Sequence, residues 1–261
     1  YKDSKERSEF ISPLRIPLSL SANFGELRID HFHSGLDLKT QGVTGKEVLA
    51  TASGYVSRIS ISPGGFGKAL YIRHPSGYTT VYGHLDKFIP EIEDYVLSKQ
   101  YEEKSFMITL WPPRDKFRFK QGDLIAYSGN SGSSTGPHLH YEIRRTDDEI
   151  PVNPLQFGLG VKHDIRPVIE RLVIYPLGKN ATVNDQKKPL GLTVSGSNGR
   201  YFITSKNNIR ISGPAGFGLK SYDLVNNSNN RASVYSSGLK IDTATVFAYI
   251  MDSFSYEEAI Y

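Results

Sequence analysis

The tract Ser133-Ser134-Thr135-Gly136-Pro137-His138-Leu139-His140-Tyr141-Glu142 constrains this chain more than any other, because a glycine-proline turn there feeds two histidines into a strand. Side chains two apart on a strand share one face, so His138 and His140 point the same way. A pair of imidazoles aimed at one point is what a metal site needs, but one pair is not yet a site. The earlier segment His31-Phe32-His33-Ser34-Gly35-Leu36-Asp37 offers His33 and Asp37 at an even spacing, so in an extended segment they also share a face. Together these residues compose a His, Asp, His set of the kind zinc takes.

The same residues carry a family resemblance. His33 to Asp37 and His138 to His140 match the His-x-x-x-Asp segment and the later His-x-His of the lysostaphin/LytM-type zinc metallopeptidases, and Val81-Tyr82-Gly83-His84-Leu85 matches a third element. The run from Gly129 to His140 resembles the family motif almost without gaps, and the resemblance extends from about Asn23 to Ile143, roughly half of the chain. It implies one Zn2+ per chain held by His33, Asp37 and His140, with His84 and His138 beside the metal as catalytic residues. Three ligands leave a fourth place for water, whose pKa the metal lowers to about 7. Histidine titrates near neutrality, so one of the pair can take the proton of the attacking water while the other stabilises the oxyanion or protonates the leaving amine. Which does which is open at this level. There is no His-Glu-x-x-His helix, so a glutamate base of the thermolysin type has no counterpart.

The resemblance implies a zinc metalloendopeptidase that hydrolyses amide bonds in the peptide cross-links of peptidoglycan. The alternative is a non-enzymatic LytM-type regulator that has lost ligands and activates other wall hydrolases. The sequence departs from the family pattern at none of the positions His33, Asp37, His84, His138 and His140, which favours catalysis. A cupin-like oxygenase also uses His-x-His, but there the pair comes first, whereas here it comes last. Of the other histidines, His31 stands near His33 without a place in the motif, and His74 and His163 are expected to be structural.

Composition agrees with a turn-rich β protein: 38% hydrophobic residues, with 16 Tyr, 13 Phe, 24 Gly and 14 Pro. The absence of Cys excludes disulfides, thiolate metal sites and cysteine nucleophiles. A net charge of +4 reads as an ordinary solvated surface rather than a grip on nucleic acid. No run approaches a membrane span, and the chain starts Tyr1-Lys2-Asp3 without a signal-peptide pattern. The expectation is a processed chain, exported to the periplasm, the envelope or the exterior, where peptidoglycan is its partner.

Short strands dominate the first part. Gly54–Ile61 alternates with the period of a half-buried strand, and 69–74 and 77–82 flank a Pro75-Ser76-Gly77 turn as a hairpin that delivers His84 from its end. Leu124–Ser128 and the histidine strand from 138 to 144 follow, giving an antiparallel sheet. Pro90–Glu103 has acidic residues near its start and apolar residues close to helical spacing, so a helix and an added strand at 106–111 form an insertion over about 88–120. If that insertion walls the groove beside His84, a D,D-cross-link fits better than a glycine bridge. The peptidase domain is expected over 1–164. Further short strands over 165–261 suggest an immunoglobulin-like β-sandwich, incomplete or short-edged where the chain stops at Tyr261.

Overall fold

Two strands with opposite-facing residue sets organise the first part of the chain. Leu139, Tyr141 and Ile143 alternate with His138, His140, Glu142 and Arg144 along one strand, while Leu36 and Leu38 alternate with Asp37 and Lys39 along another. The apolar sets are fully buried and form the core face; the polar sets share the other face. The structure, a computed structural model, describes residues 10–162, 164–205, 208–225 and 228–260; His163 lies outside them.

In chain order the strands of this part are β1 (Leu20–Ala22), β2 (Leu36–Lys39), β3 (Glu47–Leu49), β4 (Gly54–Ile61), β5 (Lys68–Arg73) and β6 (Tyr78–Phe88). After helix α1 (Pro90–Glu103) come β7 (Ile108–Leu110), β8 (Arg118–Phe119), β9 (Leu124–Ser128), β10 (His138–Arg145) and β11 (Pro151–Val152). All pairings are antiparallel, in one sheet whose main order is β1-β2-β10-β6-β5-β4-β7. On the core face the Tyr82 and Tyr141 hydroxyls, both fully buried, meet Thr51: its Oγ1 lies 3.1 Å from Tyr82 and 3.0 Å from Tyr141. Satisfying these hydroxyls removes the cost of burying them.

The helix and the added strand form where the pattern places them. Pro90 occupies the first turn, Glu91 and Glu93 complement the helix N-terminus, and Ile92 and Val96 are buried. Glu93 accepts the Phe88 N–H at 2.8 Å and pairs with Lys68 Nζ at 2.8 Å, which ties the start of α1 to β5 and β6. The rest of the insertion goes elsewhere: β7 and β8 both pair with β4, on the side of the sheet away from β10.

The second part differs from the expected single sandwich over 165–261. The chain divides into one unit of Tyr1–Lys162 with Tyr235–Tyr261 and another of His163–Val234. The latter contains β12 (Val168–Pro176), β13 (Thr182–Val183), β14 (Leu190–Ser197), β15 (Arg200–Ile203), β16 (Ile211–Ser212), β17 (Ala215–Leu224) and β18 (Arg231–Ala232). These make one antiparallel sheet, β15-β14-β12-β17-β18, and a separate β13-β16 pair. The final hairpin, β19 (Ser236–Ile241) and β20 (Ala244–Ile250), and helix α2 (Tyr256–Ala259) group with the first unit.

Aromatic burial and backbone pairing explain why the tail returns. Phe254 stacks on Phe24 with ring centroids 4.7 Å apart, and Phe32 lies 5.9 Å away. The Asn153 side chain donates to the Met251 carbonyl and the Phe32 N–H donates to the Ala259 carbonyl, both at 3.0 Å. The tail thereby buttresses the loop that leads into His33. Phe254→Ala should destabilise this unit by about 3–5 kcal/mol, the usual loss for a buried aromatic, measured as a lower denaturation midpoint; an unchanged midpoint refutes the buttress.

Candidate metal centre

Sheet register assembles the centre. Asp37 on β2 lies opposite His140 on β10, and His140 in turn lies opposite Gly83 on β6. Residues opposite one another share a face, so Asp37 joins His138 and His140 on the polar side. Two glycines make room. A Cβ at Gly35 would stand 2.5 Å from the Tyr141 carbonyl and 3.1 Å from the His140 ring, and one at Gly83 would press on His140 and Phe66. Phe66 instead stacks flat on His140, with centroids 4.7 Å apart.

His84 reaches the same side by a different device. Gly83 belongs to the His140 row, so in a regular strand His84 would face the core with Tyr82. Its backbone has φ 56°, in the left-handed region a non-glycine residue rarely adopts, and the pairing of β6 shifts between Tyr82 and Leu85 against β5 and between Leu85 and Lys87 against β9. The turn brings its ring within 4.7 Å of His138 and 5.9 Å of His140 by centroid. Its N–H donates to the Phe66 carbonyl at 2.8 Å, which holds the unfavourable conformation. The strand also continues to Phe88 instead of ending near Tyr82.

Three ligand-type atoms converge. His33 Nε2, His140 Nδ1 and Asp37 Oδ1 are 3.1, 3.1 and 2.9 Å apart. Among the described residues they form a set close enough to hold a metal ion. Their partners assign the protons. His33 Nδ1 is 2.9 Å from the Asn23 carbonyl and His140 Nε2 is 2.8 Å from the Glu142 carboxylate. Both oxygens can only accept, so each ring donates outward and turns a lone pair inward. Arg28 Nη2 holds the other Asp37 oxygen at 3.0 Å. With both rings neutral, two nitrogen lone pairs and a carboxylate oxygen therefore face one another, an arrangement that calls for a cation at its centre.

The electrostatics agree. Burial disfavours a charge on His140, but the bonds to Asp37 and Glu142 outweigh it and push its pKa up to about 9. Burial would raise the Asp37 carboxyl, yet the His138, His140 and His33 rings, which in their protonated forms donate to it, hold it far below the usual carboxylate range. Glu142, fully buried, would be raised by burial, but Arg144 and His140 keep it ionised; Ser34 Oγ donates to it at 2.5 Å. His84 is lowered to about 4, by burial first and by the charge of His140 second. His138, against the pull of burial, is raised by Asp37.

All five sequence-selected residues, His33, Asp37, His84, His138 and His140, thus meet in one place. His84 Nδ1 donates to the Ser131 carbonyl and His138 Nδ1 to the Gly136 carbonyl, each at 2.8 Å, which leaves both Nε2 atoms for the centre. His138 Nε2 is 3.5 Å from Asp37 Oδ1. Asp37 and His138 are half-buried while His33, His84 and His140 are buried, so the open side lies at Asp37 and His138. His31 stays outside, exposed and paired with Asp30. His74 is buried between the Ser53 carbonyl and the Thr80 hydroxyl, and burial lowers its pKa to about 4. The partners Glu142, Arg28 and the Asn23 carbonyl were not singled out from sequence; only Glu142 had a signal, its even spacing from His140.

The profile of peptidase family M23 matches residues 31–101 and 114–154. An uncharacterized metalloprotease of Haemophilus influenzae is 35% identical over 127 residues, which are 49% of this chain and 21% of that protein. The DD-carboxypeptidase/endopeptidase Mpg of Neisseria meningitidis is 32% identical over 127 residues, 49% of this chain and 23% of its own length. The chain thus spans less than a quarter of these two relatives. Lipoprotein NlpD of Yersinia enterocolitica is 30% identical over 116 residues, 44% of this chain and 93% of that sequence. With its converging His, Asp and His side chains inside the matched region, the chain belongs to peptidase family M23.

Proposed function

We propose that the chain is a zinc metalloendopeptidase that hydrolyses an amide bond in the peptide cross-links of peptidoglycan. The observation that carries this reading is the inward convergence of the His33, His140 and Asp37 electron pairs. With these three atoms 2.9–3.1 Å apart, one zinc ion would be within reach of all of them. Nitrogen and carboxylate donors without thiolates suit a catalytic zinc with one position open. When bound, the ion supplies the Lewis acidity that activates water and polarises the scissile carbonyl.

The chain's own groups do the rest. His33 and His140 hold their lone pairs inward because Asn23 and Glu142 take their other protons. Arg28 fixes Asp37 so that Oδ1 faces inward. His84 and His138, anchored through Nδ1, present Nε2 at the open side. One takes the proton of the attacking water and the other donates to the developing oxyanion or the leaving amine.

The D,D-cross-link is the proposed scissile bond. The Neisseria relative's name supports it, whereas the insertion adds little, since β7 and β8 run along β4 and only the start of α1 approaches the β6 end near His84. Such a substrate lies outside the cytoplasm, so we place the protein in the envelope or beyond it. Among the described residues no helix is long and apolar enough to cross a membrane.

Substitution separates ligands from catalysts. His140→Ala and Asp37→Ala should lose zinc, measured by elemental analysis, together with wall hydrolysis. His84→Ala and His138→Ala should keep zinc and lose about 100- to 10,000-fold in rate. Glu142→Gln should keep the fold and weaken zinc affinity about 10- to 100-fold in a chelator competition. Loss of zinc in His138→Ala would reassign that residue, and wall lysis retained in all four Ala variants would favour the regulator reading.

Products decide the bond. Cross-linked muropeptide dimers should become monomers with a free D-alanine carboxylate, read by mass spectrometry. Cleavage of pentaglycine in preference to those dimers refutes the D,D assignment.

A further inference from the structure

Arginines in the first unit divide sharply by partner. Among residues 10–162, Arg15 pairs with Glu47, Arg28 with Asp37, Arg58 with Glu149, Arg144 with Glu142 and Arg145 with Asp148. The remaining three, Arg73, Arg114 and Arg118, have no carboxylate within 4.0 Å among the described residues. All three line one cleft of about 710 Å³, together with Lys120.

Register explains why they meet. Tyr55 on β4 lies opposite Arg118 on β8 and opposite Arg73 on β5. The three side chains therefore share a face, the two arginines flanking the tyrosine. Arg114, from the loop before β8, sets its guanidinium 5.0 Å from the Tyr55 ring centre. The row continues from Arg73 to Thr79 and from Thr79 to Arg144, and Arg144 is on the face of His140. The cleft thus lies on the same sheet face as the metal centre, but at the far end of β10. Thr146, which lines the cleft just past the end of β10, is six positions beyond His140, a distance of about 20 Å along the strand.

Two carboxylates, Asp123 and Asp147, also line the cleft, so cations exceed anions. Asp123 is engaged by the Lys120 backbone N–H at 2.7 Å. Arg73 has a long contact of 3.4 Å to the Thr146 carbonyl, and among the described residues no carboxylate comes within 4.0 Å of it. Exposed arginines usually find a carboxylate or stay dispersed. Three unpaired ones around a single aromatic floor are arranged for an external anion.

We propose that this cleft binds a phosphate group, free or carried on a saccharide or a lipid headgroup. A planar carboxylate is filled by one guanidinium fork, whereas a tetrahedral phosphate offers three charged oxygens to several guanidiniums at once. Tyr55 and Phe119 supply a partly apolar surface for whatever carries it. The site does not depend on the metal centre or on the hydrolytic reading.

Amide chemical-shift mapping on the full chain tests it, with glucose 6-phosphate as probe and glucuronate as the carboxylate comparator. Glucose 6-phosphate should shift Tyr55, Arg73 and Arg118 saturably, with glucuronate at least about tenfold weaker. Arg73→Ala and Arg118→Ala should each weaken binding about tenfold, the worth of one charged hydrogen bond. Arg145→Ala, which removes an equal charge from a paired exposed site, should leave it unchanged. Inorganic phosphate competing as well as the sugar phosphate would identify free phosphate as sufficient. Arg118-dependent sedimentation with phosphatidylglycerol vesicles, absent with phosphatidylcholine alone, would identify a lipid source. Equal affinity for glucuronate, shifts centred on His33 and His140, or an equal loss in Arg145→Ala overturns the proposal.

Discussion

The antiparallel register of β2 against β10 is the constraint on which the rest depends. It sets Asp37 opposite His140, and with side chains alternating every residue it simultaneously buries Leu36 and Leu38 on the other face. A slip of one residue would exchange the two sets, sending the carboxylate into the core and two leucines to the metal side. The apolar core therefore fixes the ligand geometry. Precision at the centre is a by-product of hydrophobic patterning that the fold needs for its own stability.

Around that register the site is built from buried polar groups that satisfy one another. Glu142 has no exposed surface, a costly place for a carboxylate, and it is held by His140, Arg144 and Ser34. Arg144 in turn lies over the Tyr256 ring, 5.3 Å from its centre, in the returning tail. The tail thus supports the site twice, through Phe254 beneath the His33 loop and through Tyr256 against the Glu142 network. Cutting any one link leaves a buried group unpaired, which costs more than the bond itself returns.

Period and punctuation made much of this legible. The strand at Gly54–Ile61, the helix at Pro90–Glu103 and the histidine strand are set by local alternation, caps and turns, and the structure has them at those positions. Partner choice is not local. The segment 244–251 reads as one of the short strands of a sandwich, and Ala244–Ile250 is a strand, but no local pattern announces its partner Ser236–Ile241 or says that the chain beyond it will place Phe254 against Phe24. The same limit hid the left-handed backbone at His84, because strand periodicity assigns that side chain to the core. Glu142 was within reach, two residues beyond His140 on the same face, whereas Asn23 acts through a backbone carbonyl that every residue possesses.

A site of this kind has to remain intact without its metal, and the charges show how. His140, raised to about 9 from an ordinary 6.5, keeps a second proton where a cation is called for. A histidine whose pKa is higher folded than unfolded stabilises the fold fully below about 6.5 and loses that contribution as the pH rises through about 9. Without a metal, a proton on His140 Nδ1 relieves the repulsion between that nitrogen and Asp37. An ion held by His33, Asp37 and His140 would take the place of that proton, so its affinity should strengthen as the pH rises. The sheet itself does not wait for the ion, since Leu36, Leu38, Leu139, Tyr82 and Tyr141 are buried on the opposite face. The fold presents a finished site, and proton and metal compete for its centre.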